Sequence, residues 1–407
     1  CILCGLDCQL NLETRGDLLV RATPLPDTPP AAGNLCARGR FTLLTRPADP
    51  LTAPLLHGQS ATWDEAWAYL TRAGVAARSS GQGAAFLLAP TSTNEEAYLA
   101  AKVARAALGT NSITTLSEAG PDELFATLGV TAAPNTLAEL PQADFILGIA
   151  RNLQADYPAV PVLLHRAFRH GAHVTLVEEE SSSFSAELPA AYTVSRPRAL
   201  LELLLSLYLK DHDPARLPVG PLAGLPELKA ALAALDPEEL AAAAGLSLGA
   251  AQALLADYLK AKNPLLVVDG ALPGALTLAA DLALVTGRLG RPRQGLVALR
   301  PYGNSQGLLE FGATPYLLPG GKDSGDAAAR TRLAAAWGRA LPEEPGLTGS
   351  QLVSALKAGQ IATLFVWGED PASLAPELVP ALRGLKLLVV ASDRRSATTD
   401  LAHLVLP

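Results

Sequence analysis

Four cysteines lie within the first 36 residues of this 407-residue chain, and no other cysteine follows. Cys1, Cys4, Cys8 and Cys36 form the pattern C-x2-C-x3-C-x27-C. The first three thiols share one short loop, in which Gly5 lets the backbone bend so that several sulfurs converge. Four thiolates are the ligand set of a [4Fe–4S] cluster. The spacing therefore predicts a cluster that transfers single electrons.

A structural zinc site with four cysteine ligands is the alternative. Such sites usually bring together two close cysteine pairs. Here a triplet is followed by one distant cysteine, so the pattern favours a cluster over zinc. Clustered thiols in a chain of this size also favour metal binding over disulfides.

A positive charge follows the last cysteine. Arg38 lies two residues beyond Cys36. Its guanidinium is placed to donate hydrogen bonds to the sulfides or to a neighbouring anion, which would raise the cluster's reduction potential. The alternative is an ordinary exposed loop arginine.

Composition limits the other functions. The chain has 32 basic and 39 acidic residues, a net charge of −7 and no long block of either sign, so nucleic-acid binding is not expected. No apolar run is long enough to predict direct membrane insertion. Neither a Gly-x-Gly-x-x-Gly fingerprint nor a P-loop is present, so nicotinamide and ATP binding are not predicted. A chain without methionine is interpreted as part of a longer polypeptide.

Apolar runs alternate with helical segments after the cysteine region. Two capping boxes, Thr62 to Glu65 and Thr93 to Glu96, predict helix starts. Continuously apolar runs predict parallel strands buried on both faces. These runs are 84–89, 145–149, 174–177, 265–269, 296–299, 363–367 and 387–391.

The predicted fold class is α/β, with a small iron–sulfur domain followed by two doubly wound, Rossmann-like parallel-sheet domains. We expect the iron–sulfur domain at 1–50, one α/β domain at 51–135 plus 290–407, and an inserted α/β domain at 136–289.

Six sequence motifs in a fixed order carry a family resemblance. They are LCARGRF, TWDEAW, TNEEAYLAAKVARAALGTN, NSQGLLEFGATP, WGEDP and TTDLAHLVLP. Together with the cysteine spacing they resemble the molybdopterin oxidoreductase superfamily, and most closely the large iron–sulfur subunit in the peripheral arm of NADH:quinone oxidoreductase, complex I. The resemblance implies a [4Fe–4S] cluster without molybdenum and partner subunits of a respiratory or related redox complex. It also implies a cytoplasmic location, peripheral to the membrane through those partners.

One departure bears on molybdenum. The molybdenum or tungsten enzymes of the superfamily supply a cysteine, selenocysteine or serine ligand shortly after the GTN motif. Here GTNSITTLSEAG offers only Ser112 and Ser117. A protein ligand for molybdenum is therefore not expected, and no catalytic residue is predicted on this chain. The superfamily usually continues into a C-terminal cap domain that completes the pterin site, whereas this sequence stops at Pro407, so binding of molybdopterin guanine dinucleotide is not expected either. The alternative function is the core fragment of a formate dehydrogenase-like enzyme.

If a pterin nucleotide did bind, the resemblance would place it at the carboxyl ends of strands, where doubly wound sheets bind ligands. The positions implied there are Gly148, Glu178, Asn304, Gly368, Glu369, Asp370 and Asp393. Their alternatives are ordinary turns and, for Glu178, a solvated strand exit.

Overall fold

The computed structural model describes residues 1–30, 33–42, 50–79, 81, 83–117, 123–212, 218 and 222–407. The chain divides into two compact units. Unit 1 comprises Cys1–Leu44 and Asp122–Gly303, and unit 2 comprises Thr45–Pro121 and Asn304–Pro407. The cysteine segment thus groups with the inserted α/β domain. The unit boundaries lie at 121/122 and 303/304, whereas the sequence suggested 135/136 and 289/290 for that insertion.

The secondary-structure elements alternate along both units. The strands are β1 (Leu10–Arg15), β2 (Leu18–Pro24), β3 (Leu55–Leu56), β4 (Gln59–Ser60), β5 (Gly83–Leu88), β6 (Ile113–Thr114), β7 (Phe145–Ala150), β8 (His173–Glu178), β9 (Ala191–Thr193), β10 (Pro264–Asp269), β11 (Gly295–Leu299), β12 (Leu317–Leu318), β13 (Lys322–Asp323), β14 (Ile361–Trp367), β15 (Leu387–Ala391) and β16 (Leu404–Leu406).

The α-helices are likewise numbered in chain order. They are α1 (Ala37–Phe41), α2 (Trp63–Ser79), α3 (Asn94–Lys102), α4 (Glu123–Leu128), α5 (Leu153–Asp156), α6 (Val160–Arg169), α7 (Ala199–Asp211), α8 (Leu225–Ala233), α9 (Pro237–Ala243), α10 (Leu248–Lys260), α11 (Ala275–Val285), α12 (Ser305–Glu310), α13 (Ala327–Trp337), α14 (Gly349–Lys357), α15 (Pro371–Leu374) and α16 (Val379–Arg383). A π-helix, Val103–Leu108, continues α3.

Unit 1 contains a parallel sheet with the strand order β11-β10-β7-β8-β9. The chain runs outward from β7 through β8 and β9 on one side, then through β10 and β11 on the other. The topological switch point therefore lies between β7 and β10. Strands β7 and β10 are buried along their whole length, as their continuous apolar sequences predict. The antiparallel hairpin β1–β2 precedes the sheet.

Unit 2 contains a sheet with the order β4-β3-β16-β15-β14-β5-β6. The strands from β16 to β6 are parallel, and the short β3–β4 hairpin adds an antiparallel edge. The chain continues from β5 to β6 in one direction and from β14 to β16 in the other. The switch point therefore lies between β5 and β14. The predicted α/β class with parallel sheets is confirmed.

The predicted elements correspond closely to those observed. Each apolar run predicted as a strand coincides with one of β5, β7, β8, β10, β11, β14 and β15, although the run 84–89 extends one residue beyond the end of β5. Both capping boxes form: the Thr62 amide donates to Glu65 at 2.8 Å, and the Thr93 amide donates to Glu96 at 2.7 Å. The short strands β3, β4, β6, β9, β12, β13 and β16 were not predicted, because two or three residues give no periodic signal.

Within the described ranges, no single helix is long and apolar enough to cross a membrane. The pair α9 and α10, bent by 84°, passes that test only when taken together, by length and composition.

Candidate metal centre

The four cysteines line one small cavity in unit 1. Cys4 and Cys8 are each 8% exposed, while Cys1 and Cys36 are half-buried, and all four are free thiols. The remaining wall is mostly apolar, formed by Leu3, Leu6, Leu35, Pro158 and Ala159, with Arg38 at one side. The predicted ligands are thus brought together, although Cys36 is 28 residues beyond Cys8 in the sequence.

Two glycines hold the cysteine loop against the segment that follows β11. The Gly5 amide donates to the Arg300 carbonyl at 3.0 Å, and the Gly303 amide donates to the Ile2 carbonyl at 3.3 Å. A Cβ atom on Gly5 would lie 2.2 Å from the Arg300 oxygen, and one on Gly303 would lie 2.6 Å from the Ile2 Cα. Since no side chain fits at either position, glycine is what permits this close backbone approach.

Cys36 also caps the short helix α1. The Gly39 amide donates to the Cys36 sulfur at 3.3 Å. Amide hydrogen bonds to a cluster's sulfur ligands are one of the means by which a protein tunes its reduction potential.

Burial controls the protonation of the two inner thiols. It raises the pKa of Cys4, and it raises that of Cys8 to about 11, with the neighbouring Cys4 and Cys36 sulfurs adding to the rise at Cys8. Thiols in such a site ionise when a metal cation supplies the compensating charge. Metal binding here is therefore coupled to proton release.

The donor set fits a cluster better than a single ion. The described residues contain no group of three or more His, Cys, Asp or Glu side chains placed to hold one metal ion. Zinc needs four sulfurs about 2.3 Å from one point. The four thiols line one cavity, and four thiolates are the ligand set of a [4Fe–4S] cluster.

Arg38 bridges two segments next to this cavity. Its guanidinium donates to the Leu3 carbonyl at 3.3 Å and to the Ala155 carbonyl at 3.0 Å. The side chain therefore ties the cysteine loop to helix α5 while remaining exposed. Its fixed positive charge lies beside the four thiols.

Two of the implied pterin positions are structural parts of the unit 1 sheet. Glu178 ends β8 at 1% exposure and accepts the Leu153 amide at 2.6 Å, and burial raises the pKa of this carboxyl. It is therefore not a solvated strand exit. Gly148 lies inside β7 rather than at its end. A Cβ atom on Gly148 would lie 2.7 Å from the Leu176 side chain.

Sequence reasoning missed Asp269, the last residue of β10. It is fully buried and accepts the Tyr157 hydroxyl at 2.6 Å, the Ala271 amide at 2.9 Å and the Arg151 amide at 3.3 Å. Together with Glu178 it holds the segment after β7 at the switch point. An aspartate that ends an apolar strand was the available sequence signal.

Four other implied positions meet in unit 2. Gly368, Glu369, Asp370 and Asp393 line a crevice of about 600 Å³ at the carboxyl ends of β5, β14 and β15. Asn304 does not line the crevice, but its side-chain Nδ2 donates to the carbonyl of Ser92, which does. The crevice lies at the switch point, where doubly wound sheets bind ligands.

The residues after the GTN motif also lie in unit 2, where a protein ligand for molybdenum would be expected. Unit 2 contains no cysteine. The Ser117 hydroxyl donates to Glu369 at 3.1 Å, and the Ser112 hydroxyl accepts the Leu347 amide at 3.1 Å. Both candidate serines therefore take part in hydrogen bonds within unit 2.

Comparison with known proteins connects this site to a family. Residues 1–45 match the model of the Molybdopterin oxidoreductase Fe4S4 domain. The whole chain is 27% identical to the probable oxidoreductase YjgC of Bacillus subtilis, 27% identical to the NADPH-Fe(3+) oxidoreductase subunit alpha of Geobacter sulfurreducens, and 26% identical to formate dehydrogenase H of Escherichia coli. It spans 44%, 50% and 61% of these relatives, respectively.

A solved structure shows the same fold. Acetylene hydratase from Pelobacter acetylenicus superposes with a TM-score of 0.68 at 14% identity, over all of this chain and 62% of that one. The matched Fe4S4 domain supports the predicted [4Fe–4S] cluster. The first 45 residues are thus similar to the molybdopterin oxidoreductase Fe4S4 domain, and the chain as a whole has homologues in the molybdopterin oxidoreductase family.

Proposed function

We propose that this chain is the electron-transferring core of a formate dehydrogenase-like oxidoreductase, with its [4Fe–4S] cluster held by Cys1, Cys4, Cys8 and Cys36. The observation that carries the proposal is the single cavity lined by all four thiols. The formate dehydrogenase among the relatives supports this enzyme class.

The chain's own residues prepare the site for electron transfer. When bound, the cluster supplies the one-electron couple. The leucine walls exclude water, and the Gly5 and Gly303 contacts fix the loop, so the ligands need little rearrangement when the charge changes. Electrons would enter or leave past the half-buried Cys1 and Cys36.

Partners and location belong to the same proposal. Relatives named as alpha subunits support an assembly with other subunits. We propose a cytoplasmic complex that is peripheral to the membrane and attached to it through its partner subunits. A pterin nucleotide, if the assembled enzyme holds one, would occupy the unit 2 crevice lined by Gly368, Glu369, Asp370 and Asp393.

A subunit of an NADH:quinone oxidoreductase is the second candidate function. One observation favours it: Ser112 and Ser117 are engaged in other hydrogen bonds, and no cysteine is available to ligate molybdenum. The chain would then carry electrons without an active site of its own.

Metal analysis of anaerobically purified protein tests both. About four irons and four acid-labile sulfides per chain are expected, falling sharply in Cys4→Ser and Cys36→Ser. Stoichiometric zinc without sulfide would overturn the cluster. Pterin with molybdenum or tungsten would support the formate dehydrogenase-like enzyme, whereas a full cluster without either would support the second candidate.

A further inference from the structure

An apolar groove of about 670 Å³ opens in unit 2 between α2 and the π-helix that continues α3. Its floor contains Trp337 and Phe365, each 8% exposed. Its rim carries Val75 and Val103, which are 63% and 37% exposed. Large apolar side chains exposed around a concave surface are typical of an interaction site.

Small residues line two walls of the groove. On one wall the π-helix presents Ala106 and Ala107, and on the other α2 presents Gly74. A Cβ atom on Gly74 would meet no heavy atom within 4 Å, so the space above it is open. π-helical turns are rare and occur frequently at functional sites.

Two cations border this apolar surface. Lys102 and Arg339 both line the groove. Neither makes an ion pair or a side-chain hydrogen bond with any other residue in the described part of the chain. Unpaired positive charge beside an apolar surface complements a ligand that carries negative charge next to apolar side chains.

We propose that this groove docks an amphipathic helix of a partner subunit, with the apolar face of the helix in the groove and its acidic residues against Lys102 and Arg339. Helix-in-groove recognition uses this combination of an apolar cleft and flanking charge. Because the rim of the groove is open to solvent along α2, a partner helix can lie across the groove. The inference is independent of the cluster, which belongs to unit 1.

A pair of synthetic peptides tests the proposal on the full chain. Each has roughly 18 residues, about five helical turns, with one leucine-rich face. One carries glutamate beside that face and the other carries lysine at the same positions. By fluorescence anisotropy, the glutamate peptide is expected to bind roughly tenfold more tightly than the lysine peptide. In the double variant Lys102→Glu/Arg339→Glu this preference should reverse.

A second variant locates the binding site. Gly74→Leu places a side chain in the groove from a Cβ position that meets no heavy atom within 4 Å, so peptide binding should be lost. Gly249→Leu is the matched control, because a Cβ atom on this helical glycine would also meet no heavy atom within 4 Å, but Gly249 lies on α10 of unit 1. Circular dichroism checks that both variants fold. Equal binding of the two peptides, or binding unaffected by Gly74→Leu, overturns the proposal. A third outcome would also overturn the proposal: dodecanoate binds to the parent chain and not to Gly74→Leu, while neither peptide binds. The groove would then take a small amphiphile.

Discussion

The carboxylate of Glu369 accepts a 3.1 Å hydrogen bond from the hydroxyl of Ser117, although the two residues are 252 positions apart. It also accepts the Leu116 amide at 3.2 Å and the Thr115 hydroxyl. One carboxylate of only 7% exposure thus holds the three residues that follow β6, Thr115 to Ser117. Burial raises its pKa in spite of these donors.

This raised pKa predicts a pH dependence of stability. Between the ordinary glutamate pKa and the higher value in the folded chain, the folded state binds more protons than the unfolded state. The contribution of Glu369 to the free energy of unfolding is therefore greatest below that window and falls as pH rises through it. In Glu369→Gln the free energy of unfolding should depend less on pH within this window. Urea unfolding at a series of pH values measures it, and an unchanged slope would contradict the prediction.

Removing the Glu369 carboxylate in Glu369→Ala should lower the free energy of unfolding more than neutralising it in Glu369→Gln. Glu369→Ala leaves three donors without their partner, so we expect a loss of about 1–3 kcal/mol at neutral pH. The exposed Glu377 is the control, since Glu377→Ala should leave the free energy of unfolding, measured by urea unfolding, nearly unchanged.

The cysteine loop should not tolerate a methyl group at Gly5. In Gly5→Ala, the new Cβ atom would start 2.2 Å from the Arg300 oxygen, so the loop must shift and its amide hydrogen bond is lost. We expect lower iron and sulfide content and a stability loss of roughly 1–3 kcal/mol. Gly249→Ala, which meets no atom within 4 Å, is the control. Full cluster content in Gly5→Ala would show that the close contact is dispensable.

Arg38 should influence the cluster's reduction potential. Its charge lies beside the cavity, and removing it in Arg38→Gln disfavours the more negative, reduced cluster. We expect the potential to fall by roughly 30–60 mV, about a threefold to tenfold change in the one-electron equilibrium. Arg38→Lys keeps the charge but breaks the bridge between Leu3 and Ala155, so it separates the two effects. Arg40→Gln controls for charge on the same helix. An unchanged potential in Arg38→Gln would refute the electrostatic role.

The hydrogen bond from Tyr157 to the Asp269 carboxylate should stabilise unit 1 more than the hydrogen bond between the neutral side chains of Tyr258 and Thr286 does. Tyr157→Phe removes a buried donor to a carboxylate and should cost about 1–3 kcal/mol. Tyr258→Phe is the matched control, because that hydroxyl is also buried but pairs at 3.1 Å with the neutral Thr286. Its loss should cost about 0.5–1.5 kcal/mol by urea unfolding. Equal losses would mean that the charge of Asp269 contributes nothing.

The sequence alone determined the features that depend on local pattern. Four thiols at C-x2-C-x3-C-x27-C indicated the cluster, because all four ligands fall within the first 36 residues and three of them share one loop. Apolar runs such as that of β7 and the capping box at Thr93 were sufficient to locate strands and a helix start. Burial on both faces and N-terminal capping are local requirements of these elements.

Only the tertiary structure decided which distant groups meet. Tyr157 and Asp269 are 112 positions apart, and nothing in either local sequence specifies the other. The same holds for the contact between Gly5 and Arg300, and for the apolar groove beside the π-helix. Periodicity reports which face of an element is buried but not which element covers it. The order of strands in each sheet supplies that information, because it brings the ends of distant segments to one edge.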